Sequence, residues 1–149
     1  MHSEQEGGRG AVFQRILVPV DLTEKNRHVV EWAAELARWS DGSVTLLHVI
    51  EPLDLPFEEL EDFYEELEAK AAASMEKMVE TLRAAGVECR RQVVYGERAR
   101  EIVEYAEENG SDLILLSSHR QDLDDPTRNL GTLSHKVAIL AQTPVLLVR

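Results

Sequence analysis

Cysteine is nearly absent: Cys89 is the single one among 149 residues. With no partner inside the chain, a disulfide-stapled scaffold is excluded and a reducing, cytoplasmic setting is expected. Long apolar runs are missing as well. The longest, Val137-Ala138-Ile139-Leu140-Ala141, falls far short of the ~20 residues that span a bilayer as helix, so no membrane crossing is expected. Aromatic residues are few, at 5% of the chain, and basic residues number 16 against 28 acidic ones, a formal charge of −12. Such a surface repels phosphate backbones and anionic lipid, which argues against nucleic acid and membrane as partners. The segment Met1 to Gly10 has neither a basic end nor an apolar stretch, and Gly7-Gly8-Arg9-Gly10 reads as tail. Residues 1–12 are expected to be disordered, with the folded domain over 13–149.

What is present alternates. Ile16-Leu17-Val18-Pro19-Val20 reads as a strand buried on both faces. A helix follows from Lys25 to Trp39, with Val29, Ala33, Leu36 and Ala37 on one stripe, Thr23 as its cap and Asp41-Gly42 as its stop. Trp32 and Trp39, seven apart, are read as packing residues. Val44 to Ile50 is a second strand, and Glu58 to Ala85 a long amphipathic helix with Leu60, Phe63, Leu67, Ala71, Met75, Met78 and Leu82 on its apolar stripe. Val87 to Tyr95, with Glu88, Arg90 and Arg91, suits a sheet edge. Gly96 opens a helix carrying Ala99, Ile102, Val103 and Ala106, Asp112 to Leu116 is a fourth strand, Gly131 to Gln142 a last helix and Pro144 to Val148 a last strand. This order implies crossover units: one doubly wound α/β domain with a mostly parallel sheet and helices on both faces. In such sheets ligands bind beyond the carboxyl ends of the strands, where strand order reverses. That directs attention to Val20 to Thr23, Ile50 to Pro52, Gly96-Glu97 and the polar stretch from Ser117 to Thr132.

Several chemistries lack their residues. His2, His28, His48, His119 and His135 form no paired zinc motif, and Asp122, Asp124 and Asp125 lack the glycine and distal glutamate of a calcium loop, so no metal is expected. Cys89 has no CxxC partner and reads as structural, and His48 as a satisfied strand residue. Val20-Asp21-Leu22-Thr23 offers no dense hydroxyl set for a flavin phosphate. No nucleophile, base and oxyanion donor can be assembled, so catalysis is not expected. Gly131-Thr132-Leu133-Ser134, by contrast, places free N–H groups and hydroxyls at a helix start, which suits an anion; it equally suits a simple cap by Thr132 or Ser134.

The strand Ile16 to Asp21, the strand Leu46-Leu47-His48-Val49, the segment Gly96 to Leu116 and the ending Thr143 to Val148 together resemble the universal stress protein family, over nearly everything from Gln14 onward. The resemblance implies a five-stranded parallel, Rossmann-like sheet akin to that of adenine nucleotide alpha hydrolases. It also implies a homodimer paired through Val145, Leu146, Leu147 and Val148 and, in one subgroup, ATP at the strand ends. On that resemblance Asp21 would meet ribose or adenine, Pro19, Val20 and Val49 would line the base pocket, and Gly131 to Ser134 would hold phosphate. The ATP-binding subgroup carries Gly-x-x-Gly, nine residues, then Gly-Ser or Gly-Thr. Here Ser117 and Arg120 stand where glycines are expected, and ten residues separate Arg120 from Gly131. A Cβ at such positions hinders close approach of phosphate to backbone N–H groups. Arg120 then either reaches phosphate through its guanidinium or pairs with the nearby aspartates. Two readings follow: a dimeric stress-response protein with a modified nucleotide pocket, and a ligand-free signalling or interaction dimer.

Overall fold

The computed structural model describes residues 12–118, 124 and 132–149. Five parallel strands, β1 (Arg15–Pro19), β2 (Ser43–Ile50), β3 (Glu88–Tyr95), β4 (Leu113–Ser117) and β5 (Val145–Val148), stand in the order β3-β2-β1-β4-β5. Helices α1 (Asn26–Ser40), α2 (Phe57–Ala84), α3 (Arg98–Glu108) and α4 (Leu133–Leu140) connect them. The chain winds outward from β1 to β3, then returns to the other side of β1 for β4 and β5, which is the doubly wound fold expected. β3 lies at one edge, as its alternating charges require, and β5 at the other.

Strand alternation divides the core in two. Ile16 and Val18 of β1 and Leu113 and Leu115 of β4 face one side, under Val29, Ala33 and Ala37 of α1 and Met75, Val79 and Leu82 of α2. Leu17, Ile114 and Leu116 face the other, under Ala99, Ile102 and Ala106 of α3 and Val137 of α4. Ile16 to Val18 and Leu113 to Leu116 are therefore apolar throughout, since each of these side chains is covered by one helical layer or the other. Each such burial of a Leu or Ile side chain stabilises the fold by about 1.5–3 kcal/mol.

Several local expectations are corrected. Thr23 does not cap α1; Lys25 holds the cap position without a side-chain bond, because Thr23 turns back to Asp21. The other end of α1 stops at Asp41-Gly42 as expected, with Asp41 left-handed at φ 56°. On α2 Phe63 is 43% exposed and Tyr64, one position later, is buried at 2%; Tyr64 accepts from the Leu53 N–H at 2.8 Å and meets Tyr95 edge-on at 5.6 Å. α3 begins at Arg98 rather than Gly96, and Glu97 caps it by accepting from the N–H groups of Ala99 and Arg100. α4 is shorter than Gly131 to Gln142, and Leu140 is exposed. Trp32 and Trp39 are nearly half exposed, so neither is a core residue; Trp32 meets the ring of His28 edge-on. No described helix is long and apolar enough to cross a membrane.

Candidate functional site

The return of the chain from β3 to β4 opens a cleft of about 240 Å³ at the carboxyl ends of the strands. Its apolar lining is Pro19 at the end of β1 and Val20 just after it, Leu47 and Val49 from β2, Ile102 from α3 and Leu116 from β4. Its polar lining is Asp21, Asn26, Ser117, Ser118, Thr132 and Ser134, with Leu133 between the last two. Arg98, the first residue of α3, also lines it.

The turn after β1 shapes this wall. Val20 donates its N–H to the Leu47 carbonyl at 2.9 Å, and the Val20 carbonyl is 2.9 Å from His48 Nδ1. His48 is thus satisfied within the fold, as its strand position suggested. Asp21 Oδ1 accepts from Thr23 N at 2.9 Å and from Thr23 Oγ1 at 2.7 Å, a turn held by a carboxylate. Asn26 Oδ1 accepts from Asp21 N at 2.9 Å and from Leu22 N at 2.8 Å. These two bonds hold Leu22 at φ 68°, a left-handed backbone that a leucine adopts only when its surroundings impose it.

The opposite wall is the start of α4. Thr132 Oγ1 accepts from His135 N at 3.4 Å, so the threonine is a cap. Ser134 Oγ lies 3.4 Å from both Ser118 Oγ and Thr132 Oγ1, which makes a cluster of hydroxyls beside the helix start. A helix start and rotatable hydroxyls supply donors to an anion. Beyond Asp21, Ser117 and Ser118 the cleft continues into a hollow lined by Lys25, His28 and Arg149.

Of the residues singled out from sequence, Pro19, Val20, Asp21, Val49, Ser117, Thr132, Leu133 and Ser134 share this cleft. Arg120 and Gly131 lie outside the described residues, as do His119, Asp122 and Asp125. Among the described residues no group of three or more His, Cys, Asp or Glu side chains converges as a metal site would require. Asn26 and Arg98 were missed. Asn26 had a signal in the Asx-type turn chemistry that follows a strand-ending Asp; Arg98 sits one residue beyond the Gly96-Glu97 connection that the switch-point rule selects. Cys89 is buried on β3, remote from the cleft's lining, and burial pushes its thiol up to about 11.

Comparison with known proteins agrees with this architecture. Residues 13–149 match the universal stress protein family. Universal stress protein YxiE of Bacillus subtilis is 27% identical over 149 residues, 93% of this chain and 100% of that protein. Among solved structures, MJ0577 of Methanocaldococcus jannaschii aligns with a TM-score of 0.78 at 28% identity, covering 92% of this chain and 96% of that one. A universal stress protein solved in complex with cAMP shares the fold at a TM-score of 0.73 and 21% identity, over 93% and 98% of the two chains. One from Archaeoglobus fulgidus in complex with dAMP does so at 0.69 and 20%, over 93% and 99%. With the strand order, the switch-point cleft and a match over the whole folded region in agreement, the chain belongs to the universal stress protein family.

Proposed function

We propose that the cleft binds an adenine nucleotide, ATP among those to be tested, and that the chain acts as a dimeric stress-response protein by binding rather than by catalysis. The observation that carries the reading is the mixed lining of one cleft: Pro19, Val49 and Leu116 offer apolar surface suited to a base, and the hydroxyls at the α4 start suit phosphate. Relatives of the same fold, solved with cAMP and dAMP, support the choice of nucleotide. The buried free thiol Cys89 supports a reducing, cytoplasmic setting. The exposed edge of β5, with Val145, Leu146 and Leu147 half-buried and Val148 packed inward, supports pairing of two copies there.

One observation favours the ligand-free interaction dimer instead: Oδ1 of Asp21 is already occupied by Thr23, and Thr132 is already occupied as a cap. Calorimetric titration of AMP, ATP and adenosine into the protein decides between them. Saturable heat with AMP or ATP, abolished in Ser117→Trp by filling the cleft, is the expected result. Wild-type protein that gives no heat at millimolar nucleotide overturns the nucleotide reading in favour of the ligand-free dimer.

A further inference from the structure

Asn26 is a polar side chain that lines the cleft, only 2% exposed. Its Oδ1 accepts from the N–H groups of both Asp21 and Leu22, and those two donors identify that atom as the oxygen. The other half of the carboxamide, Nδ2, carries two hydrogens, and among the described residues neither has an acceptor. A buried amide without partners is costly, and folded proteins keep such groups where a ligand or water completes them. The polar groups that line the same cleft include the hydroxyls of Ser117, Ser118, Thr132 and Ser134, with Asp21 tied to Thr23. An amide N–H pair donates only, and beside the start of α4 and hydroxyls that can also donate it suits a phosphoryl oxygen, an acceptor with no hydrogen of its own to place.

We infer that Asn26 Nδ2 is a ligand-binding donor to a phosphoryl oxygen of the bound nucleotide. The same carboxamide, through Oδ1, holds the turn at Asp21 and Leu22, so one side chain links the shape of that turn to the presence of phosphate. The inference rests on the nucleotide reading above and adds a residue and a ligand group to it.

The variant Asn26→Asp retains an oxygen for the Asp21 and Leu22 N–H groups while replacing the amide donor with a carboxylate oxygen. Titrations with AMP and adenosine, on wild type and variant at pH 8, read the result. The expected outcome is a loss of AMP affinity of about tenfold or more with adenosine affinity unchanged, since a charge-assisted bond is lost and a like charge introduced. Unchanged AMP affinity, or equal losses for AMP and adenosine, overturns the assignment of Asn26 and leaves the nucleotide reading standing. Wild-type protein that binds neither compound overturns both. Where the variant fails to fold, wild-type protein labelled with nitrogen-15 answers the same question. The assigned Asn26 side-chain amide signals shift on adding AMP and not on adding adenosine; signals unmoved by bound AMP overturn the assignment.

Discussion

Two neighbouring residues at the end of α1 divide between them what a single glycine often does. Asp41 takes the left-handed conformation at φ 56°, and Gly42 is there for closeness: a Cβ on it would collide with the Phe13 carbonyl oxygen and lie 2.9 Å from Ser40 Oγ. The carbonyl is backbone and cannot swing aside, and Ser40 is buried and bonded to that same carbonyl at 2.8 Å. Gly42→Ala is therefore expected to destabilise the protein by about 1–3 kcal/mol through overpacking. Asp41→Gly, at the residue with the unusual dihedral, is neutral or stabilising by up to about 1 kcal/mol. Denaturant unfolding of both variants checks this contrast, and equal losses would refute it. Cys89 is a second residue whose surroundings decide its chemistry. Burial raises its thiol from 9.0 to about 11, Arg83 lowers it in part, and Glu76 adds to the rise. At pH 8 the native thiol stays protonated and reacts slowly with a thiol reagent, while the unfolded protein reacts at once. The sign for stability follows: an acid whose folded pKa is raised contributes in full below about pH 9 and loses that contribution between about 9 and 11. Cys89→Ala should flatten the decline in stability across that window, measured by urea unfolding; Tyr95, held up to about 12, adds its own decline only above 10.

At the scale of elements, α4 shows how little a short helix can rely on its own length. It has eight residues and one fully buried side chain, Val137, and helices this short are marginal without tertiary contacts and caps. Its start rests on Thr132, whose Oγ1 accepts from His135 N. Thr132→Ala is expected to cost about 1 kcal/mol, and Thr132→Ser to restore most of it; thermal unfolding of the two variants gives the comparison. The strands and helices were legible because their side chains answer to two layers at once. Leu17 and Val18 face opposite cores, so β1 is a continuous apolar run, and the 3-4 spacing of Ala71, Met75 and Leu82 marks the face α2 buries. Failures occurred where a contact far in sequence outweighed the local pattern. Tyr64 displaced Phe63 from the interior because its hydroxyl meets Leu53 and its ring meets Tyr95. Thr23 gives its hydroxyl hydrogen to the Asp21 carboxylate and stands two residues ahead of the cap position at Lys25. In the site, Asp21 and Thr132 were legible as a strand end and a helix start, positions the fold class dictates, whereas Pro19 and Val49 were reached through the family resemblance. Asn26 carried only the weak signal of turn chemistry after Asp21, because its importance lies in the backbone N–H groups it holds across that turn, which local hydropathy does not record.

For the molecule as a whole, the two sheet edges differ. β3 carries Glu88, Arg90 and Arg91, exposed charges that discourage pairing with another chain, whereas β5 carries only Val145, Leu146, Leu147 and Val148. A four-residue strand offers few backbone bonds, so a stable pairing through it needs additional apolar area to approach the ~1,200–2,000 Å² of a specific interface. The helix that precedes β5 carries it: Ile139 is 66% exposed and Leu140 53% exposed. Val148 is not a suitable residue with which to test the interface, since it is 5% exposed within the core of the single chain and a charge there would unfold it. Ile139→Glu leaves the core untouched and places a charge on the surface that a partner would have to cover. Light scattering with sedimentation at concentrations of tens of micromolar is expected to show a dimer for the wild type and a monomer for Ile139→Glu. The monomeric variant should keep its helical circular dichroism, because an exposed side chain contributes little to the fold of one chain. A wild-type monomer under these conditions would exclude dimerisation through β5; a dimeric Ile139→Glu would restrict the pairing to the strand itself, and Leu147→Lys, on the half-buried edge, would then be the substitution that separates the copies.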